Sequence, residues 1–205
     1  MNQKIKARIE VVARQMGERL RHARRKQGIT LGELSKETTL SVSFLSRLER
    51  GETSTSIANL IMIATRLGIS LHEFFEEAPD TGKGYILNRA QEREGQTALM
   101  AHGYSYRLST GDIPDQQMSA FELNFPPGSK ERPALLTHDG EEVLYLIEGS
   151  IEFHIGEDSF VMNAGDCVHF NCSKPHMGRN IGQGTARLLM VVTPVNSRDK
   201  NASER

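Results

Sequence analysis

Apolar residues follow two different spacings along this 205-residue chain. From about residue 8 to residue 76 they recur every three or four positions, in short segments that each follow a capping residue, which predicts a compact bundle of α-helices. From Tyr85 onward the chain changes to short alternating or β-rich runs separated by Gly, Pro, Asn and Asp. That pattern predicts an antiparallel barrel or sandwich, so the chain is expected to form an all-α domain followed by an all-β domain.

Polar segments mark the expected domain boundaries. The segment EEAPDTGKG contains a proline and two glycines, which favours a linker at residues 76–84. The helical domain is therefore placed at residues 1–75 and the β domain at residues 85–195. The last residues, 196–205, offer almost nothing apolar to bury and are predicted to be a disordered tail.

Capping residues set the register of the helices. Thr30 with Glu33, and Ser70 with Glu73, have the spacing of capping boxes. A sharp turn is required before Ser41, which can cap a helix from Val42 to about Arg50 that Gly51 ends. Two short helices that meet at a tight turn predict a helix-turn-helix.

The second of these helices has two chemically different faces. At 100° per residue, one side gathers the residues expected to pack, and the other gathers the residues expected to read DNA, namely Ser43, Ser46, Arg47 and Arg50. A guanidinium can form two parallel hydrogen bonds with guanine, and a hydroxyl can hydrogen-bond a base edge or a phosphate. A solvated amphipathic helix would show the same pattern, so the faces alone leave both interpretations open.

The segment from about residue 12 to residue 75 closely resembles the helix-turn-helix of the XRE/Cro family of repressors. The resemblance rests on the entry QGIT followed by EL, the run SVSFLSRLERG, and the closing ATRLGISLHEFF. It implies a lambda-repressor-like bundle of five helices in which Ser43, Arg47 and Arg50 face DNA. Members of the family usually carry Gln at the start of the second helix, where this chain has Leu31, so no base-reading role is assigned to Leu31.

A buried ion pair is expected inside the bundle. Glu49 lies at the margin of the buried face, where a carboxylate needs a partner. By analogy with the first helix of the family, Arg24 is the expected partner, and a Glu49 that points to water is the alternative. His22 and His72 are taken as surface residues.

Two segments of the β half resemble the two sequence motifs of the cupin superfamily, across about residues 103 to 194. THDGEEVLYLIEG supplies His138, Glu142 and a glycine, and GDCVHFNCSKPHMGRN supplies His176 and Asn180. The resemblance implies a small barrel of the jelly-roll type with these side chains pointing inward, and so an effector site of His138, Glu142, His176 and Asn180. The first histidine of the family's metal site is missing, because Leu136 stands in its place.

The remaining site can act in more than one way. His138, Glu142 and His176 offer two imidazoles and a carboxylate, the ligand set of one divalent metal such as Zn or Fe. The same groups can instead hydrogen-bond an amine, a carboxylate or a hydroxyl of an effector, or simply bond one another. Cys167, His169 and Cys172 suggest a second cluster, but strand alternation turns Cys167 and His169 away from the barrel interior, so the cysteines are expected to be structural.

Charge separates the two halves in the same way as the hydrophobic pattern does. Residues 1–75 carry 13 Lys and Arg against seven Asp and Glu, whereas the remainder carries 12 against 19. The basic half is therefore the half expected to meet phosphate. No stretch is apolar enough for a membrane span and the N-terminus lacks the pattern of a signal peptide, so a cytoplasmic location is expected.

Together these features predict a transcriptional regulator, not an enzyme. The full chain resembles XRE-cupin regulators, which implies a homodimer on a pseudo-palindromic DNA operator and a small effector such as an amine or an amino acid. The alternative is a mononuclear non-haem metal enzyme of the phosphonate epoxidase type, since a few cupins with an attached helix-turn-helix use a His, Glu and His triad.

Overall fold

The computed structural model describes residues 3–75, 84–94, 98–111, 113, 116–129 and 135–193. Four α-helices form the N-terminal half: α1 (Gln3–Lys26), α2 (Leu31–Thr38), α3 (Val42–Glu49) and α4 (Ile57–Leu67). The predicted linker, apart from Gly84, and the predicted tail lie outside the described residues. No helix in the described ranges combines the length and the apolar character that crossing a membrane requires.

The prediction of a fifth α-helix in this half is wrong. Leu71–Phe74 forms a single 3-10 turn, although the expected capping box of Ser70 and Glu73 is present. Only four residues separate the Ser70 cap from extended backbone at Phe75, and the turn closes with the Phe75 N–H donating to the His72 carbonyl at 2.8 Å. That i→i+3 bond is the pattern of a 3-10 turn, and so short a segment does not propagate as an α-helix.

The helix-turn-helix forms at the predicted caps. Thr30 accepts from the Glu33 N–H at 3.2 Å while Glu33 accepts from the Thr30 N–H at 2.7 Å. Ser41 accepts from the Phe44 N–H at 3.1 Å and so begins α3. Between α2 and α3, Thr39 adopts a left-handed φ of 58°, which lets the two helices meet at a tight turn.

Close packing of α1 on α3 fixes the orientation of the helix-turn-helix. The contact passes through Gly17, where an added Cβ would lie 2.4 Å from the Leu48 carbonyl oxygen and 2.7 Å from that of Glu49. Leu20, Leu45 and Leu48 are fully buried around this crossing. A glycine is needed here because any side chain would push the two helices apart.

The C-terminal half contains one short helix, α5 (Ala90–Glu94), followed by nine strands. The strands are β1 (Leu99–Ala101), β2 (Tyr104–Leu108), β3 (Ser119–Phe125), β4 (Glu141–Glu148), β5 (Ser150–Ile155), β6 (Asp158–Asn163), β7 (Cys167–Asn171), β8 (His176–Asn180) and β9 (Ala186–Val192). They form a six-stranded antiparallel sheet in the order β1-β2-β3-β9-β4-β7 and a three-stranded antiparallel sheet in the order β6-β5-β8.

The two sheets share an apolar interior. Burial alternates along β3 and β9, which place Phe121, Leu123, Leu188 and Met190 inward. A single bridge between Leu136 and His176 joins the segment before β4 to the smaller sheet. The sequence pattern of alternating apolar residues correctly predicted this β-rich half.

The helical and β halves pack directly against each other. The Tyr106 hydroxyl donates to the Thr55 carbonyl at 3.1 Å, and the rings of Phe75 and Phe121 lie 6.0 Å apart between centroids. His72 is buried here, with the Gln116 amide 3.0 Å from its Nε2, so the prediction of a surface histidine at this position is wrong. His72 is buried because the β half covers the 3-10 turn, and helix periodicity does not predict that contact.

Candidate functional site

The outer face of α3 presents the predicted DNA-reading residues. Ser43, Arg47 and Arg50 are exposed, and Ser46 is half-buried beside them. Arg50 follows the last residue of α3 as its C-cap. The structure therefore brings all four predicted residues to one side of the helix, away from buried Leu45 and Leu48.

The two arginines of this face are held differently. Arg50 donates to both carboxylate oxygens of Glu52 at 2.7 Å, and its Nη1 donates to Ser46 at 2.6 Å. Among the described residues, Arg47 makes one long hydrogen bond of 3.4 Å, from Nη2 to the Glu52 carbonyl. Arg47 is thus the guanidinium more available to a partner, whereas Arg50 must first leave Glu52 to contact one.

A buried ion pair fixes α3 to α1, as the sequence predicted. Arg24 donates to Glu49 through Nε at 2.5 Å and through Nη2 at 2.9 Å, and its Nη1 donates to the Ile29 carbonyl at 2.7 Å. The two residues are 8% and 7% exposed, so the alternative of a solvated Glu49 is wrong. The bidentate pair satisfies the carboxylate and orients the face of α3 that carries Arg47.

A cavity lies between the two sheets of the β half. Its volume is about 60 Å³, and it is lined mainly by apolar side chains such as Phe125, Leu144, Ile151 and Phe153. Its polar side chains that can carry a charge are Glu142 and His176, on one wall. A ligand that fits this cavity combines an apolar body with a polar group directed at that wall.

Ile57 and Ala58, the first two residues of α4, also line the cavity. Tyr104 of β2 is another lining residue. The helical half therefore forms part of the wall of a cavity that otherwise belongs to the β half.

Hydrogen bonds to backbone carbonyls orient both histidines of the polar wall. His138 Nδ1 lies 2.8 Å from the Asp139 carbonyl oxygen, and His176 Nδ1 lies 2.9 Å from that of Lys174. These contacts make each Nδ1 the protonated nitrogen and direct each Nε2 toward Glu142. The His138 Nε2 is 2.9 Å from one carboxylate oxygen of Glu142, and the His176 Nε2 is 3.9 Å from the other.

The pKa values of the two buried imidazoles are shifted in opposite directions. Burial lowers the pKa of His138, but the hydrogen bond and the negative charge of Glu142 outweigh burial and raise it above its usual value. Burial lowers the pKa of His176, which makes no comparably short contact with Glu142. His138 is therefore the more easily protonated of the two.

Cys172 lies in the same buried cluster, which the sequence reasoning missed. A nitrogen of His138, a carboxylate oxygen of Glu142 and the Cys172 sulfur all lie within 4.8 Å of one another. The backbone brings them together, because the His138 N–H donates to the Cys172 carbonyl at 3.1 Å and the Cys172 N–H donates to the Gly140 carbonyl at 3.0 Å. Alternation along β7 could not have predicted this contact, because Cys172 follows the end of the strand.

Two protein families match this chain, one in each half. Residues 20–74 match the helix-turn-helix family, and residues 121–192 match the cupin domain family. The chain thus contains one segment similar to each of these two families. The two matched segments contain α3 and the residues from β3 to β9, including the polar wall of the cavity.

The chain is similar to two regulators of Escherichia coli (strain K12). The transcriptional regulator PuuR is 26% identical over 180 residues, which cover 87% of this chain and 94% of PuuR. The transcriptional regulator SutR is 24% identical over 184 residues, which cover 90% of this chain and 97% of SutR. A crystal structure of a helix-turn-helix family transcriptional regulator from Vibrio cholerae superposes with a TM-score of 0.66 at 22% identity, across 90% of this chain and 98% of its own.

Within the cupin domain, the structure separates the four predicted effector residues. His138, Glu142 and His176 come together at the cavity wall and are all buried. Asn180 does not join them: its amide donates to the Phe125 and Gly184 carbonyls at 2.8 Å and accepts from the Gly182 N–H at 2.8 Å. Its side chain is therefore engaged in holding the turn after β8.

Cys167 and His169 were predicted to lie outside the barrel interior, and Leu31 was predicted to have no base-reading role. Cys167 and His169 are exposed on β7 and turned away from the interior, as strand alternation predicted. Leu31, at the first position of α2, is half-buried and packs against the core, which fits its lack of a base-reading role.

Proposed function

We propose that this protein is a sequence-specific DNA-binding transcriptional regulator whose cupin cavity binds a small effector and modulates operator binding. The observation that carries the proposal is the exposed face of α3, where Arg47 and Ser43 are free to meet bases while the Arg24–Glu49 pair holds the helix in place. The similarity to PuuR and SutR over almost the whole chain supports it. A regulator of this kind acts in the cytoplasm, where DNA is accessible.

In this proposal α3 enters the major groove. Arg47 is the expected guanine reader, because a free guanidinium can make a bidentate pair with O6 and N7. Ser43 and Ser46 contact base edges or phosphates, and Arg50 joins them after exchanging Glu52 for a phosphate. Because one such module offers few base contacts, the proposal includes a homodimer on a pseudo-palindromic operator.

The cupin cavity supplies the effector site of the proposal. Its apolar walls fit the carbon skeleton of a small metabolite, and Glu142 with His176 fits an amine or another polar group at one end. The donor set also fits one divalent metal such as Zn²⁺ or Fe²⁺, with His138 and Glu142 as ligands and both His176 and Cys172 near Glu142. A bound metal would supply a Lewis-acidic attachment point for the polar group of the effector.

The route from effector to DNA runs through α4. Ile57 and Ala58 line the cavity at the start of α4, and the loop of residues 50–56 connects them to α3. An effector that fills the cavity therefore contacts the helical domain directly. If the effector binds more tightly to one position of α4 than to another, its binding would change the spacing or mobility of the reading helices. Coupling between the two sites requires such a difference in affinity.

Binding to DNA from the region upstream of the protein's own gene tests the proposal. Fluorescence anisotropy should show binding at low salt that weakens steeply as salt is raised, because phosphate contacts release counterions. Arg47→Ala should weaken specific binding by about 1–3 kcal/mol and leave the melting temperature unchanged. Arg187→Ala, which removes an exposed arginine from β9 in the cupin domain, is the matched control and should bind like the wild type. Equal losses in both variants would contradict a reading role for α3.

A further inference from the structure

We propose that the cupin domain binds one thiophilic divalent metal ion, of the Zn²⁺ class, through His138, Glu142 and Cys172, with the Cys172 thiolate as its third ligand in place of the predicted His176. The inference rests on the effector half of the proposed function and is independent of DNA binding. The barrel would then hold a metal site with nitrogen, oxygen and sulfur ligands.

The structure already holds the three donor atoms at ligating range. They lie within 4.8 Å of one another and all three residues are buried, with Cys172 at 0% exposure. The two backbone hydrogen bonds that pair Cys172 with His138 and Gly140 fix the segment that carries the sulfur. A metal would therefore find the set largely preformed, without a rearrangement of strands.

The surroundings of His138 match those of a metal ligand. Its Nδ1 donates to a backbone carbonyl, which is the outer contact that ligating histidines commonly make. Nε2 is therefore the nitrogen that can bind a metal after it loses its proton. That Nε2 faces the Glu142 carboxylate at 2.9 Å, so both ring nitrogens have an oxygen acceptor beside them. A cation between Nε2 and the carboxylate satisfies both groups at once.

Charge balance favours Cys172 over His176 as the third ligand. A divalent ion with one carboxylate, one thiolate and one neutral imidazole gives a site of zero net charge. The same ion with one carboxylate and two neutral imidazoles keeps one positive charge in an apolar interior, where an unbalanced charge is disfavoured. On binding, the Cys172 thiol and the protonated Nε2 of His138 each release a proton to solvent, and sulfur and nitrogen donate their lone pairs to the metal without a change of oxidation state.

His176 then keeps a separate position beside the cavity. Its Nε2 lies 3.9 Å from Glu142, and His176 and Glu142 line the cavity whereas Cys172 does not. A zinc ion with three protein ligands retains a fourth position for water or another ligand. His176 is thus placed to hydrogen-bond whatever occupies that position.

Cobalt binding tests this assignment. The full-length protein, prepared with a non-thiol reductant, is titrated with Co²⁺ while its absorption spectrum is recorded. We expect one Co²⁺ per chain and a sulfur-to-cobalt charge-transfer band in the near ultraviolet. Cys172→Ser should abolish the band and weaken Co²⁺ binding by more than the roughly 10- to 100-fold that loss of an outer-shell partner produces.

Two variants act as controls. Cys167→Ser removes the only other cysteine, which is exposed, and should keep both the band and the affinity. His176→Ala should keep the band. Failure to bind Co²⁺, binding without the band, a band that survives Cys172→Ser, or a band lost in His176→Ala would each overturn the proposal.

X-ray absorption of the wild-type protein loaded with Zn²⁺ gives an answer that does not depend on the folding of a variant. One sulfur at about 2.3 Å, together with nitrogen or oxygen ligands at about 2.0–2.2 Å, is the expected shell. A shell without sulfur would contradict the assignment. Operator binding is measured on the same preparations, so loss of DNA binding with an intact thiolate site would count against the regulator and not against the metal site.

Discussion

At the scale of single residues, the Arg24–Glu49 pair is a buried polar contact that joins α1 to α3. Both side chains are buried and joined by two hydrogen bonds, so removing one partner leaves the other charge uncompensated. Arg24→Met should therefore destabilise the fold by about 3–5 kcal/mol in urea unfolding.

The double variant Arg24→Met with Glu49→Leu is the control for this prediction. It removes both charges, and should recover most of the lost stability because apolar residues of similar volume commonly replace a buried ion pair without loss. An unchanged melting temperature in Arg24→Met alone would show that the pair contributes little.

Local chemistry explains which residue placements the sequence predicted. Thr30, Ser41 and Glu49 were predicted correctly because caps and helix faces depend on neighbours within a few positions. The burial of His72 and the proximity of Cys172 to His138 were not predicted, because the partners Gln116 and His138 lie more than thirty positions away in the chain. Pairing between distant segments decides such contacts, and it leaves no periodic signal in a single sequence.

At the scale of secondary-structure elements, the crossing of α1 and α3 sets the position of the reading helix. Gly17→Ala places a Cβ against two backbone carbonyls of α3, and should destabilise the protein by about 1–3 kcal/mol in thermal or urea unfolding. It should also weaken DNA binding, because α3 must shift outward.

Gly32→Ala is the matched control within the same domain. Gly32 lies inside α2 with only the Thr30 hydroxyl within 4 Å of an added Cβ, at 3.9 Å. Replacement should leave the fold unchanged or stabilise it by about 0.4–1 kcal/mol, since alanine restricts the unfolded chain. Equal destabilisation in both variants would mean that the close approach at Gly17 is not the cause.

The periodicity of apolar residues predicts some elements of the fold but not the final helical turn or the order of the strands. Apolar spacing and caps predicted the helical bundle and the starts of α2 and α3, but the predicted final helix is one 3-10 turn because only four residues separate its cap from extended backbone. The alternating pattern predicted strands, whereas their order in two sheets depends on long-range pairing such as that of β3 with β9.

At the scale of the whole molecule, the two domains share an apolar core and should unfold together. All four tyrosines, Tyr85, Tyr104, Tyr106 and Tyr145, lie in the C-terminal half, and the chain has no tryptophan. Near-ultraviolet circular dichroism therefore reports on that half, while the signal near 222 nm is dominated by the helices. We expect the two thermal transitions to coincide, as a single cooperative unit requires.

The Tyr106–Thr55 hydrogen bond is one contact that joins the halves. Tyr106→Phe should lower stability by about 1–3 kcal/mol, because the Thr55 carbonyl is left without its buried donor. The two transitions should also separate on heating. Tyr145→Phe, at an exposed tyrosine of β4, is the control and should leave both transitions in place.

Selection of bound sequences from a pool of random DNA duplexes is the sharpest test of sequence-specific DNA binding by this protein. The full-length protein should enrich a pseudo-palindrome whose half-sites are centred about one helical turn, roughly 10 base pairs, apart, and should bind it as two chains per duplex. The Arg47→Ala variant should lose the preference at the base pairs that Arg47 contacts. A pool that remains random after repeated selection with the wild-type protein would contradict the assignment of this chain as a sequence-specific regulator.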